Sequence, residues 1–144
     1  MEKNDTIELL RECDSGVKMG ISSIDEVVDR VDSDDLREIL HHSKEGHTEL
    51  DKDLHRLLSK FDAPEGEPNP MAKGMSWIKI NVKLAAKETD KVVADLMTDG
   101  CDMGIKSLHK YLNKYPAADR EVIQATRRLI DIEESLRRDL KAYL

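Results

Sequence analysis

Cys13-Asp14-Ser15-Gly16-Val17-Lys18 recurs 88 residues further on as Cys101-Asp102-Met103-Gly104-Ile105-Lys106. Four of the six positions are identical, and Val17/Ile105 is conservative. Both copies lie inside a helical pattern. Around the first, Leu10, Cys13, Val17, Gly20, Ile24, Val27 and Val31 recur at steps of three and four, widened by Ile21 and Val28. That spacing predicts a helix over 6–32 with one apolar seam. Around the second, Met97, Cys101, Gly104, Leu108, Tyr111 and Tyr115 predict a helix over 90–115, capped by Asp90 or Thr89 and ended by Pro116.

Each of these helices is followed by a second. The seam Leu36, Leu40, Ser43, His47, Leu50, Leu54 and Leu57 predicts a helix over 34–61, with a ready cap in Asp32-Ser33-Asp34. The seam Val122, Thr126, Leu129, Glu133, Leu136, Leu140 and Tyr143 predicts the last helix, 119–144. A turn as short as residues 32–34 forces two long helices to run antiparallel. The two second helices also match by pattern: Leu50, Leu54 and Leu58 correspond to Leu136, Leu140 and Leu144, and His47 then corresponds to Glu133. The chain reads as a duplicated helical hairpin. Glycines 16, 20, 100 and 104 cost helix stability, so the pattern predicts close helix approach there.

Between the hairpins, residues 62–70 (Asp-Ala-Pro-Glu-Gly-Glu-Pro-Asn-Pro) read as a linker. A shorter helix is expected over 71–86. Met75, Ile78 and Val82 form one stripe on it, and Trp77, Ile80 and Leu84 another. Two stripes predict a homodimer contact through the Trp77 helix; a single broad core face is the equal alternative. The fold expected is all-α: an antiparallel four-helix bundle with a crossover helix between two hairpins. Its parts are a hairpin 6–61, a linker and crossover helix 62–88 and a hairpin 89–144, all in one domain.

Composition narrows the function. The 144 residues carry 23 Lys and Arg against 30 Asp and Glu, a formal net charge of -7. That balance argues against a nucleic-acid backbone binder, which needs a concentrated basic face. Aromatics at 3% give no platform for stacking bases. No apolar run of about 20 residues suits a membrane span, and no apolar stretch follows Lys3 as a signal peptide would require, so a cytoplasmic protein is expected. Two cysteines make no disulfide scaffold. There is no Gly-rich phosphate loop, nucleophile elbow or Ser-His-Asp set, so an enzyme is not the expectation.

Residues 69–79, Asn-Pro-Met-Ala-Lys-Gly-Met-Ser-Trp-Ile-Lys, with the stretch 90–112, resemble an uncharacterised bacterial ferritin-like family. That family is a domain of unknown function related to the YciE/YciF stress proteins, and the similarity spans nearly the whole chain. The resemblance implies the ferritin-like fold. It also raises a metal question, because well-studied ferritin-like relatives hold two metal ions. They use one carboxylate from the first helix of each hairpin and Glu-x-x-His from the second. Carried over by position, the first-helix places fall at or beside Cys13 and Cys101, with Asp14 and Asp102 as neighbours. The second-helix glutamate places fall on His47 and Glu133. Both histidine places are leucine, Leu50 and Leu136. The resemblance therefore implies a degenerate di-iron site.

Two readings of the seam residues Cys13, His47, Cys101 and Glu133 stay open. Thiolate, imidazole and carboxylate can together fill a tetrahedral site for zinc or iron in a metal-binding or oxidative-stress protein. Alternatively the cysteines are small buried hydrophobes, His47 pairs with Glu133, and no cofactor is bound. The Glu38-x-x-His41 spacing has no partner in the last helix and reads as a solvated flank, as do His42 and His55. His109 lies beside the Leu108 seam without a partner legible in sequence.

Overall fold

The computed structural model describes residues 3–65 and 87–144. The crossover helix expected over 71–86, and with it the dimer contact at Trp77, lies outside these. The described residues form four long α-helices and no strand: α1 Lys3–Val27, α2 Asp34–Lys60, α3 Thr89–Lys114 and α4 Arg120–Leu140, with a 3-10 turn at Lys141–Tyr143. They pack as a bundle in which α1 lies on α2, α2 on α4, α4 on α3, and α1 also on α3 and α4. No helix among the described residues is long and apolar enough to cross a membrane.

Local chemistry sets the helix ends. Ser33 caps α2, its Oγ accepting from Leu36 N at 3.1 Å. Asp119 caps α4 by accepting from Glu121 N at 2.9 Å. These side chains satisfy amide groups that the first turn leaves open. Helix α1 stops at Val27, short of the seam, yet Val28 and Val31 remain buried. The apolar pattern continues through the turn because the turn itself is packed.

The expected cap of α3 is corrected. The residue before its first turn is Glu88, left-handed at φ 57° and without a side-chain capping bond. Asp90 is used across the bundle instead, accepting from Asp32 N at 2.7 Å and Ser33 N at 3.0 Å. Helix α1 does the same for the other hairpin: Asp5 accepts from Ala117 N at 3.3 Å and Thr6 from Asp119 N at 2.8 Å. The first turn of each hairpin thus binds the turn of the other.

Surface ion pairs follow the same neighbours. Asp25 meets Lys44 at 2.5 Å, Asp53 meets Arg128 at 2.5 Å, and Asp102 meets Arg137 at 2.9 Å. Glu121 takes both Arg56 at 3.1 Å and Lys60 at 2.5 Å. The charges of α4 reach neighbouring helices here. Exposed pairs of this kind contribute about 0–1 kcal/mol each and favour one register over another more than they add stability.

The apolar interior is divided in two. One half holds Leu9, Leu10, Cys13, Val17, Leu50, Leu54, Leu108, Val122 and Leu129. The other holds Ile24, Leu36, Leu40, Val93, Met97, Cys101, Leu136 and Leu140. On α2 and α4, the residues that fall between the halves are polar: Ser43, His47 and Glu133.

Candidate functional site

The polar layer between the two apolar halves is the candidate site. His47 is its centre, fully buried on α2. Its Nδ1 lies 2.7 Å from the Ser43 carbonyl oxygen, one helical turn back. A carbonyl only accepts, so Nδ1 carries the hydrogen and donates. Nε2 points the other way, to Glu133 Oε1 on α4 at 3.4 Å. The Glu133 side chain is only 12% exposed.

Helix α1 makes room for the ring with a glycine. A Cβ at Gly20 would fall well inside van der Waals contact with His47 Nε2. Gly16, a turn away, is also close-packed, its Cβ position 3.1 Å from Leu129. Gly104 faces the Glu133 carboxyl at 3.7 Å, an ordinary contact. Gly100 departs from the expectation of close approach, with no described atom within 4 Å of a Cβ there. Of the four glycines, Gly20 is required by packing and Gly16 is tightly packed against a leucine side chain.

Helix α3 completes the layer. The Cys101 thiol hydrogen-bonds the Glu133 carboxylate, which makes Glu133 the link between His47 and Cys101. Burial first, then the Glu133 charge and that hydrogen bond, push the Cys101 thiol far above the ordinary thiol range. Cys13 lies elsewhere. It sits in the apolar half with Leu50 and Leu129, hydrogen-bonded to Thr126, whose hydroxyl donates to the Val122 carbonyl at 2.9 Å. Burial pushes the Cys13 thiol up to about 12, with the neighbouring Asp14 charge adding to the shift and the Thr126 bond opposing it. Both cysteines are free and buried. Reactivity belongs to the thiolate, so neither is poised as a nucleophile.

The structure therefore joins His47, Glu133 and Cys101 in one line and places Cys13 outside it. Seven residues separate Cys13 from Gly20, the α1 residue level with the ring; that is about 10 Å along a helix. Among the described residues, no three His, Cys, Asp or Glu side chains are gathered as a metal site requires. The histidine places of the ferritin-like pattern, Leu50 and Leu136, are buried in opposite apolar halves. Glu38, His41, His42, His55 and His109 are exposed. Sequence reading had His47 and Glu133 on their seams but not the roles of the Ser43 carbonyl or Thr126. The i, i+4 spacing of Ser43 and His47 was the one signal for the former.

No family model matches the chain, and no curated protein matches it. A solved structure shares the fold. The crystal structure of a DUF305 fragment from Deinococcus radiodurans is similar over 96% of this chain and 93% of that one, with a TM-score of 0.76 at 11% sequence identity. Likeness at that identity is a statement about fold alone.

Proposed function

We propose that this chain is a non-enzymatic ferritin-like bundle in which a hydrogen-bonded layer stands where relatives hold a di-metal centre. The contacts support two antiparallel hairpins. Along α1 and α2, Gly20 meets His47 and Asp25 meets Lys44; along α2 and α4, Asp53 meets Arg128 and Lys60 meets Glu121. In each set one number rises as the other falls. Along α1 and α4 the numbers rise together, Thr6 with Asp119 and Gly16 with Leu129. This is the pattern of two hairpins joined by a long crossover.

One observation carries the functional reading. The two places that should supply histidine nitrogens are leucines, 0% and 3% exposed, packed into opposite halves of the core. The residues present do not fit a di-iron centre. The remaining donors form a short line with its own hydrogen bonds, and Cys13 is bonded to Thr126 outside it. A buried polar set of this kind rewards one helix register, since a slip leaves its groups unpaired in a dry interior.

The test is elemental analysis of untagged protein from metal-replete medium. Iron and zinc are expected far below one ion per chain. Stoichiometric metal would overturn the reading and favour an oxidative-stress or metal-binding protein built on His47, Glu133 and Cys101.

A further inference from the structure

The repeated hexapeptide places a lysine four residues after an aspartate in both copies, and the two pairs are used differently. In the second copy Asp102 is half-exposed and turns to Arg137 of α4 at 2.9 Å, while Lys106 stands exposed. In the first copy the Asp14 side chain is fully buried, with Lys18 Nζ 2.9 Å from its Oδ2. Burial works against a charged Lys18, but its bonds to Asp14 and Glu65 outweigh that and hold the amine above the ordinary lysine range. Lys18 is a persistent cation tied to a carboxylate that solvent does not reach.

A second acid reaches the same ammonium from outside α1. After α2 the chain reverses: Asp62 is left-handed at φ 51°, and Ala63 N donates to the Leu58 carbonyl at 2.9 Å. Phe61 and Ala63 pack on the apolar half beneath them. Glu65 is thereby brought back to His55 on α2. Lys18 Nζ donates to Glu65 Oε2 at 3.2 Å, and Glu65 Oε1 faces His55 Nδ1 at 3.7 Å. One carboxylate spans both helices of the first hairpin. Exposed ion pairs are weak in part because two long side chains must be immobilised together. Here Asp14 has already immobilised one of them.

We propose that Lys18 is a two-sided clasp: anchored on Asp14, it grips Glu65 and closes residues 61–65 as a strap over the α1–α2 groove, and salt loosens this strap while the bundle stays folded. The two sides differ in exposure. The Glu65 side chain is 61% exposed and the Asp14 side chain 0%. The Debye length falls from about 10 Å at 0.1 M salt to about 3 Å at 1 M, and buried pairs are screened much less than exposed ones. Salt therefore acts on the outer contact and spares the inner one. The device is independent of the metal-free reading of the polar layer.

Native-state hydrogen exchange of the full chain reads the strap at the Ala63 amide, whose bond to the Leu58 carbonyl opens with it. Glu65→Gln removes the outer ion pair and keeps the contact between Asp14 and Lys18. Ala63 should then exchange about fivefold faster, with the buried amides of α2 unchanged. Raising salt from about 0.05 M to about 1 M should speed Ala63 in the parent relative to Glu65→Gln. Lys18→Gln should match or exceed Glu65→Gln at Ala63. Lys106→Gln, the same change in the other copy of the repeat, should leave Ala63 as in the parent. If Lys18→Gln fails to fold, Glu65→Gln and the salt series decide alone. An Ala63 rate unmoved by Glu65→Gln or by salt would overturn the proposal, as would equal acceleration by Lys106→Gln.

Discussion

Gly20→Ala should destabilise the protein, although alanine is the better helix former. In an open helix interior the change is favourable by about 0.8–1.0 kcal/mol. At Gly20 the new methyl group would strike His47 Nε2. The ring cannot move aside without losing Ser43 and Glu133. Overpacking costs about 1–3 kcal/mol. Breaking a buried hydrogen bond adds about 1–3 kcal/mol. The net expectation is a loss on the order of 1–3 kcal/mol, read by urea unfolding. Two companions sharpen it. Gly100→Ala, with no described atom within 4 Å of the new group, should gain about 0.5–1 kcal/mol. Gly20→Ala combined with His47→Ala should recover part of the loss, because the clash is with the ring. Equal gains at Gly20 and Gly100 would show that the ring does not rest on α1.

Leu50→His is expected to cost more. It places a histidine where the proposed ferritin-like pattern would have one, yet Leu50 is 0% exposed among Leu54, Val17 and Leu129. Removing a fully buried leucine forfeits about 1.5–3 kcal/mol of burial. A buried imidazole without partners adds about 1–3 kcal/mol. The expected loss is about 3–5 kcal/mol, enough to leave a bundle of ordinary stability marginal or unfolded. The measurement is the urea midpoint with and without added zinc or iron. The double variant Leu50→His with Leu136→His should not regain stability from either ion. Recovery of the parent midpoint on adding metal would show that the backbone still frames a working site.

Much of this was legible in the sequence, because a helix seam is a local pattern. Leu36, Leu40, Leu50 and Leu54 fall at one spacing and are all buried together. Ser33 acts as a cap through the backbone group three residues away, as Asp32-Ser33-Asp34 predicts. What sequence alone withheld was the level at which the helices meet. The repeat equates Cys13 with Cys101, yet packing puts them in opposite halves of the core. Helix α1 meets His47 through Gly20, which has no counterpart in the repeated hexapeptide. Asp90 is a similar case. Its place in a first helical turn suggests a local cap, whereas its carboxylate binds two amides 57 and 58 residues away. Contacts between helices depend on axial offset, and no seam fixes an offset.

The central claim, that hydrogen bonds and packing rather than a metal hold the middle of this bundle, is tested most directly by one comparison of unfolding midpoints. Purified protein is measured as isolated, after exhaustive chelation, and after addition of iron(II) or zinc. A native-state ligand at one hundred times its dissociation constant stabilises by about 2.7 kcal/mol, a shift easily resolved. The account predicts three coincident midpoints. A midpoint that falls on chelation and returns with one ion per chain would contradict it.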